Sequence, residues 1–380
     1  MSLYTNLAKR FLAARLPAAL RDRQLPFKLT VASTFRCNHE CRICGIWRIY
    51  RETPEKRKEE LAPEDFERIF ADLRNSLLFL DWGGGEPFLR QDIVPILESA
   101  ARICPKLASF VITTNGLLTA RVTEAVAELA GNLPDHAVSV GVSLDGEASV
   151  HDEIRGKPGA FDAATATIRG LHAVAEEHRN VEVKLSYTLC SLNAGKFGEF
   201  HKRVLKPLGL GAGDVGFNLE HVGNLFQTTG SAQRMVGEIA AREFWDGVST
   251  DVRFVLEQVG KERLHLVQRL KSFYRRFFLE SIPGYLAQPA KMVIPCEAAR
   301  NSLYLDPYGN FYPCVVWGNR LGHYTEGIAN MLRSEPVRAA RRTIDAEKCP
   351  VCWNACEAIP SLLTSWRLVG CVARETFGLR

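Results

Sequence analysis

The chain has 380 residues, of which 46% are hydrophobic and 24% are charged. This length and composition predict a globular protein with one large domain and a smaller one, and they argue against intrinsic disorder. The net charge of +5 arises in residues 1–30, which hold six basic residues against one acidic residue. Because the remainder is balanced in charge, we expect no broad nucleic-acid surface.

Nothing in the chain has the apolar length of a membrane span, about 18 residues, or the apolar core of a secretory signal. We therefore expect a cytoplasmic protein. In that compartment its eleven cysteines are expected to bind metal or to catalyse, because a large cytosolic chain seldom holds a disulfide framework.

The first segment, residues 1–26, is predicted to form a basic amphipathic helix. Leu3, Leu7, Phe11 and Leu12 lie near helical spacing with basic residues between them. We expect this helix to cap the fold; peripheral contact with a membrane surface or an acidic partner is the alternative.

Residues 27–230 alternate short apolar runs with helical patterns, which predicts a parallel α/β sheet. Six units of this kind indicate a partial (β/α)6 TIM barrel, with a flavodoxin-like open sheet as the alternative. The predicted strands are 27–34, 77–82, 109–114, 138–144, 181–189 and 215–222. The predicted helices lie near 63–74, 91–103, 120–130, 161–176 and 194–205.

Three cysteines follow the first strand at once, in the string TFRCNHECRICGIW. Cys37, Cys41 and Cys44 are spaced C-x3-C-x2-C, so three thiolates can wrap one face of an iron–sulfur cube. Such cubes normally take four cysteine ligands, so one iron stays open for a substrate. A zinc knuckle with His39 as fourth ligand is the alternative.

Polar and glycine-rich motifs end the next strands, where barrel enzymes keep their chemistry. The second strand runs into Gly83-Gly84-Gly85-Glu86-Pro87, and the third ends in Thr113-Thr114-Asn115-Gly116. The fourth ends in Ser143-Leu144-Asp145-Gly146, followed by His151-Asp152-Glu153-Ile154-Arg155-Gly156, and the fifth ends at Leu189. Consecutive glycines let a ligand approach bare backbone, and an arginine fork suits a carboxylate.

Residues 231–290 are predicted to be a helical connecting segment, and residues 291–380 a small C-terminal domain. Cys296 and Cys314 are spaced C-x12-G-x4-C, and Gly309 permits a hairpin that brings their two strands together. Cys349, Cys352 and Cys356 follow as C-x2-C-x3-C, and Cys371 stands alone. From spacing alone, this pattern also fits a four-cysteine zinc ribbon.

The first cysteine motif and its position resemble the radical S-adenosylmethionine (SAM) superfamily. The resemblance implies that SAM chelates the open iron of a [4Fe–4S] cluster held by Cys37, Cys41 and Cys44. It also implies a SAM pocket formed by Gly84, Gly85, Glu86, Asn115, Ser143, Arg155 and Leu189, with the GGEP element at the SAM amino group and Ser143 and Arg155 at its carboxylate or ribose. One departure is Ile43, where many members have an aromatic residue.

The C-terminal domain resembles the auxiliary-cluster domains called twitch and SPASM. That implies a second [4Fe–4S] cluster held by ligands drawn from Cys296, Cys314, Cys349, Cys352 and Cys356. The match to twitch is closer, because the chain lacks one cysteine of the full SPASM array.

These resemblances predict a radical SAM enzyme that cleaves SAM and abstracts hydrogen from a peptide, small-molecule or lipid-like substrate. Flavodoxin or ferredoxin is the expected electron donor. A non-catalytic iron–sulfur electron-transfer protein and a zinc-stabilised binding module are the alternatives.

Overall fold

The computed structural model of the protein describes residues 24–220, 238–259, 266–288 and 291–365. Most of the predicted N-terminal helix, residues 1–23, lies outside the described residues, as does Cys371. No helix within the described ranges is long and apolar enough to cross a membrane.

Six parallel strands form the centre of the molecule, each paired with the next in chain order. Every predicted strand is present, and most bounds agree within two residues. The strands are β1 Lys28–Thr34, β2 Phe79–Gly84, β3 Ser109–Thr114, β4 Ala137–Ser143, β5 Val181–Leu189 and β6 Val215–Leu219.

Helices connect the strands and continue beyond them. They are α1 Ile49–Glu52, α2 Pro63–Leu73, α3 Ile93–Ile103, α4 Thr119–Asn132, α5 Ala148–Arg155, α6 Ala160–Glu177, α7 Phe197–Phe200, α8 Glu238–Val259, α9 Leu266–Ala287, α10 Ile328–Met331, α11 Glu335–Asp345 and α12 Ala355–Leu363. A π-helical turn, His201–Leu205, continues α7. Within the segment predicted to be helical, residues 231–290, the described residues form α8 and α9.

The strand order decides between the two predicted architectures. It runs β6-β5-β4-β3-β2-β1 without reversal, whereas a doubly wound sheet reverses direction at a switch point. A continuous order lets one face take all the helices while the sheet curls around the other. The predicted fold class, an α/β partial (β/α)6 barrel, is confirmed, and the sheet is open, not closed into a full barrel.

The two faces of the sheet differ in polarity. The helix-facing side is apolar: Leu80 and Trp82 of β2 are buried, and the Trp82 ring lies 5.2 Å from the Phe66 ring of α2. The opposite face is polar and half-exposed, as the strict alternation of burial along β5 indicates. Its side chains include Asp81, Ser139, Lys184, Ser186 and Thr188. The barrel interior is therefore a hydrophilic space.

The C-terminal region extends this sheet. Strands β7 Ser302–Leu305, β8 Asn310–Tyr312 and β9 Gly322–His323 follow β1 in the order, and β7 pairs with β1 in parallel. Strands β7 and β8 form the predicted hairpin, in which Gly309 has a φ of +85°. The two cysteine-bearing regions thus share one sheet; the domain boundary at residue 291 stays a prediction.

Candidate functional site

The loop after β1 holds Cys37, Cys41 and Cys44, at the carboxyl ends of the parallel strands. Burial, with a further contribution from the neighbouring Cys41, raises the pKa of Cys37 to about 11 and that of Cys44 to about 12. The three thiols therefore lie close enough to affect one another. His39 is buried in the same loop, and neither of its ring nitrogens has a hydrogen-bond partner within the described residues.

Two side chains, one just after β3 and one at the end of α5, donate N–H groups to these sulfurs. Asn115 Nδ2 lies 3.9 Å from Cys37 Sγ, and Arg155 Nη1 lies 3.9 Å from Cys41 Sγ. Trp47 Nε1 also donates to the carbonyl oxygen of Cys41 at 3.3 Å. Hydrogen bonds to cluster sulfurs are among the factors that set a cluster's reduction potential. The structure thus brings Asn115 and Arg155 to the cysteine loop; their predicted contacts with SAM stay a prediction.

The glycine run after β2 packs against the backbone of the cysteine loop. The amide of Gly85 donates to the carbonyl oxygen of Thr34, and that of Glu86 to Arg36, both at 2.7 Å. A Cβ atom on Gly85 would overlap the Arg36 carbonyl, and Gly84 has a φ of +117°. Glycine is therefore required here by the approach of the two loops, in addition to any contact with a ligand.

Glu86 is fully buried and organises the mouth of the barrel. Its carboxylate accepts hydrogen bonds from the Thr114 hydroxyl at 2.9 Å, the Asn115 amide at 2.8 Å and the Phe88 amide at 3.2 Å. Burial raises its pKa to about 7, against the effect of these donors. Through the hydrogen bond from the Asn115 amide, Glu86 supports the position of Asn115; its contact with SAM stays a prediction.

Arg155 forms an ion pair with the buried carboxylate of Asp145. Its Nε and Nη2 atoms bind Asp145 Oδ2 at 2.7 and 2.5 Å, and Asp145 is fully buried. Asp145 also accepts from the Thr188 amide, and its own amide donates to His151 Nδ1. Nη1 is the one guanidinium nitrogen not bound to Asp145, and it lies beside Cys41 Sγ; a role of Arg155 at the SAM carboxylate stays a prediction.

The two remaining predicted pocket residues differ in placement. Ser143 lies at the end of β4, opposite Ser186 of β5. Leu189 is fully buried in the core, on the same side of β5 as Tyr187. The structure does not bring Leu189 to the polar face with the others, because period-two alternation directs it to the helix-facing side.

The C-terminal region places four thiols around one pocket, which is lined by Cys296, Cys314, Cys349 and Cys352. Burial raises the pKa of all four thiols, that of Cys314 to about 12. A zinc ion bound at 2.3 Å would need its sulfurs within about 4 Å of one another. Among the residues that the structure describes, no three His, Cys, Asp or Glu converge on a single-ion site. The four thiols around the pocket are therefore not gathered in the way that a single zinc ion requires.

A carboxyl group also lines this pocket. Glu357 is 3% exposed, and one of its oxygens accepts from the Ser302 hydroxyl of β7. The other, Oε1, has no hydrogen-bond partner within the described ranges. Cys356, by contrast, does not line the pocket.

Sequence reasoning missed several residues that hold these sites. Lys28 is buried, binds Asp81 at 2.6 Å and donates to the carbonyl oxygen of Cys356 at 2.6 Å. Glu60 accepts from Thr34, from the Phe35 amide and from the Tyr50 hydroxyl behind the cysteine loop. A lysine at the start of a strand that is otherwise uncharged was a visible signal for Lys28. No local sequence pattern marks Glu60.

Comparison with known protein families assigns each of the two cysteine-bearing regions to a domain family. Residues 31–181 match the family model described as the radical SAM superfamily. The chain carries a radical SAM domain. Residues 296–357 match the SPASM model, described as an iron–sulfur cluster-binding domain. The predicted family resemblance and cofactors are therefore confirmed: a [4Fe–4S] cluster, SAM and an auxiliary iron–sulfur cluster.

Curated relatives of this radical SAM protein include three named enzymes. It is 38% identical over 164 residues to Fe-coproporphyrin III synthase of Methanosarcina barkeri, and 29% identical over 170 residues to pre-heme d1 synthase of Dinoroseobacter shibae. These alignments cover 42% and 44% of the chain but only 36% and 38% of the relatives, so the chain spans little more than a third of their length.

A third alignment is longer. Over 341 residues the chain is 27% identical to the sporulation killing factor maturation protein SkfB of Bacillus subtilis, covering 86% of the chain and 69% of SkfB. Among solved structures, anSMEcpe with bound AdoMet and a peptide superposes with a TM-score of 0.59 at 15% identity, over 92% of this chain and 100% of that one. At this identity the likeness concerns the fold.

Proposed function

We propose that this enzyme cleaves SAM reductively at the loop of Cys37, Cys41 and Cys44 and removes hydrogen from a polar substrate held inside the barrel. When bound, the cluster supplies the electron that breaks a carbon–sulfur bond of SAM and yields the 5′-deoxyadenosyl radical. The proposal is carried by one observation: three neighbouring thiols at the barrel mouth, two of which receive N–H groups from Asn115 and Arg155.

The chain's own residues then have separate tasks. The three thiols hold the cluster and leave one iron open. Asn115 and Arg155 steady the sulfurs, while Glu86 and Asp145 fix those two side chains through buried hydrogen bonds. The proposed role of Ser143, at the end of β4, is to contact SAM or the substrate.

The substrate is proposed to be polar, because the barrel interior is lined by hydroxyl and charged side chains. Ser139, Ser186 and Thr188 are half-exposed on this face, and Lys184 binds Asp214 at 3.0 Å beside them. A lipid-like substrate would leave such groups without hydrogen bonds. A peptide is favoured, since SkfB, named as a maturation protein, aligns along most of the chain.

A second candidate is a tetrapyrrole. Two relatives are named as synthases of an Fe-coproporphyrin and of pre-heme d1, although they align with less than half of the chain. Visible absorption on titration with an iron porphyrin separates the candidates, because a bound porphyrin shifts its absorption band and a peptide-specific barrel leaves it unchanged.

The auxiliary cluster is proposed to be held by Cys296, Cys314, Cys349 and Cys352, the four thiols around the C-terminal pocket. A four-cysteine set completes a [4Fe–4S] cluster without an open iron. We propose that this cluster transfers electrons to or from the bound substrate.

Anaerobic reconstitution, followed by a 5′-deoxyadenosine assay with dithionite, tests the function. Two four-iron clusters predict about eight irons per chain. Cys41→Ala should abolish 5′-deoxyadenosine formation. Cys104→Ala is the matched control, because Cys104 is a fully buried thiol in the helical layer that donates to the Phe70 carbonyl. Equal rates for Cys41→Ala and the parent would contradict the proposal.

The same preparation distinguishes the two alternative functions, a non-catalytic electron-transfer protein and a zinc-stabilised binding module. An electron-transfer protein would hold iron and sulfide but form no 5′-deoxyadenosine, and a zinc module would be colourless. An acidic carrier such as flavodoxin or ferredoxin should replace dithionite as the reductant.

A further inference from the structure

Helix α12 presents one of its faces to the pocket that the four C-terminal thiols line, here called the four-thiol pocket. The residues on this face follow the helical spacing i, i+3, i+4 and i+7, and they are Asn354, Glu357, Ala358 and Ser361. Among the described residues that line the pocket, Glu357 is the only acid, and none is a lysine, an arginine or a histidine. The helix therefore directs one carboxyl group toward the four thiols.

The two oxygens of the Glu357 carboxyl group differ in their contacts. The side chain is 3% exposed, and Oε2 accepts a hydrogen bond from the hydroxyl of Ser302, a fully buried residue of β7. Oε1 has no hydrogen-bond partner in the described part of the chain. One turn further along α12, the Ser361 hydroxyl donates to the Glu357 carbonyl at 2.7 Å. Strand β7 thus holds Oε2, and Oε1 is the oxygen left for the pocket.

The thiols of the pocket lie within electrostatic reach of this carboxyl group. Burial is the largest cause of the raised pKa of Cys296, Cys314 and Cys352, and the charge of Glu357 contributes to the rise at each of the three. This agrees with the position of Glu357 on the pocket-lining face of α12.

A buried polar atom without a partner normally marks an unseen water or ligand. The ligand proposed for the four-thiol pocket is an iron–sulfur cluster, whose sulfurs accept hydrogen bonds. An ionised carboxylate only accepts, whereas a protonated carboxyl group has one O–H donor. Lys28, a buried cation, binds Asp81 and the Cys356 carbonyl oxygen, each at 2.6 Å. An ionised Oε1 would therefore lie against acceptors without a donor, which is costly in a buried site.

We infer that Glu357 is protonated in the holoenzyme, donates a hydrogen bond from Oε1 to a sulfur of the auxiliary cluster and raises the reduction potential of that cluster. The inference rests on the proposed function for the four cysteine ligands. Hydrogen bonds to the sulfurs help to set a cluster's potential, and a donor stabilises the more negative, reduced state. A higher potential makes the auxiliary cluster a better electron acceptor.

Redox titration followed by paramagnetic resonance tests the inference. The triple variant Cys37→Ala, Cys41→Ala, Cys44→Ala serves as background, because it should hold the auxiliary cluster alone, about four irons. In this background Glu357→Gln keeps an N–H donor and a carbonyl oxygen for Ser302, and it should keep the potential. Glu357→Met keeps neither group. It should change the reduction equilibrium about tenfold, which lowers the potential of a one-electron couple by about 59 mV.

The matched control is Glu335→Met, which makes the same change at an exposed carboxyl group on α11 and should leave the potential unchanged. A higher potential in both Glu357 variants would overturn the inference, because Glu357 would then act as an anion. An unchanged potential in both would show that Oε1 does not reach the cluster. Loss of about four irons from Glu357→Gln would make Glu357 a ligand, which also overturns the inference.

Infrared spectroscopy gives a second readout that does not need Glu357→Met to bind iron. The difference spectrum between the background and its Glu357→Gln variant should contain the C=O band of a protonated carboxyl group, and carboxylate bands in its place would overturn the inference. Neither readout uses 5′-deoxyadenosine or the first cluster, so failure of SAM cleavage stays distinguishable. A background without iron would contradict the proposed ligand set and the inference with it.

Discussion

Asn115 shows how a single side chain connects the barrel to the first cysteine loop. Its Nδ2 group donates to Asn38 Oδ1 at 2.6 Å and lies 3.9 Å from Cys37 Sγ, while its Oδ1 accepts from the Leu117 amide at 3.0 Å. An amide can do all of this at once, because it has donors at one end and an acceptor at the other.

Asn115→Asp is therefore expected to lower the reduction potential of the first cluster. The change replaces a donor near the Cys37 sulfur by a negative oxygen, and both effects disfavour the more negative reduced state. A redox titration followed by paramagnetic resonance measures the shift. Asn132→Asp adds the same charge at an exposed position on α4 and should leave the potential unchanged; a shift of equal size there would refute the local cause.

Arg155 carries the largest expected stability effect of any residue at the site. Arg155→Gln leaves the fully buried Asp145 without its charged partner, which we expect to cost about 3–5 kcal/mol. Arg42→Gln is the control, because the Arg42–Glu153 pair is exposed and should cost less than about 1 kcal/mol. Urea unfolding of the metal-free chain measures both, and similar losses would contradict the prediction.

The sequence indicated which residues gather at the barrel mouth but not what they touch. Asn115, Ser143 and Arg155 were identified because parallel strands end at one edge. The sequence did not reveal the ion pair between Arg155 and Asp145, because the pair depends on the orientation of two side chains that are ten residues apart. Leu189 was assigned to the SAM pocket because it ends a strand. That assignment did not consider that side chains alternate between the two faces of β5, which directs Leu189 to the helix-facing side.

At the scale of elements, the strands were predictable and two other features were not. Apolar runs bounded by turns predicted all six strands, because the helix-facing side chains of each strand are buried in the core. Helix α5 was missed since its sequence, ASVHDEIR, is short and polar. The pairing of β7 with β1 was missed because it joins residues more than 270 positions apart, beyond any local pattern.

The glycine run after β2 gives a matched pair of substitutions. A Cβ atom at Gly85 would overlap the Arg36 carbonyl, whereas one at Gly83 meets nothing within 4 Å. Gly85→Ala should therefore push the two loops apart and reduce the iron bound at the first site, and Gly83→Ala should not. Iron counts and the cluster's paramagnetic spectrum measure the outcome. Normal occupancy in Gly85→Ala would show that the loops do not need this approach.

Asp251, which lies apart from both cysteine regions, is expected to make the free energy of unfolding depend on pH. From α8 it accepts hydrogen bonds from the Gly195 and Phe197 amides at the start of α7, at 2.8 and 3.0 Å. Burial raises its pKa to about 6. A folded pKa above the unfolded one means that the folded state binds more protons, so stability falls as pH rises from about 4 to 6.

Asp251→Asn should therefore have a lower free energy of unfolding than the parent. The difference between the two should narrow as pH rises from about 4 to 6. The parent loses stability as Asp251 ionises, and the uncharged variant does not. Urea unfolding of the metal-free chain at pH 5 and at pH 7 measures the two differences. A difference that stays constant or widens would show that Asp251 is ionised throughout.

At the scale of the whole molecule, the barrel and the C-terminal region share their hydrogen bonds. Besides the β1–β7 ladder, the Leu61 amide donates to the Pro307 carbonyl at 2.8 Å, and the Tyr324 hydroxyl donates to Asp65 at 2.7 Å. The Lys28 ammonium joins β1, β2 and α12. Contacts distributed in this way favour unfolding as one cooperative unit over two independent ones.

Removing the auxiliary cluster should therefore loosen the barrel as well as the C-terminal region. In reconstituted Cys352→Ala we expect faster amide hydrogen exchange in β7 and also in β1 and β2, because the ladder from β7 to β1 transmits the loss. Hydrogen-exchange mass spectrometry resolves these peptides, with β5 as the internal reference farther along the sheet. Exchange that accelerates only after residue 291 would mean that the two cysteine regions open independently, in spite of the sheet they share.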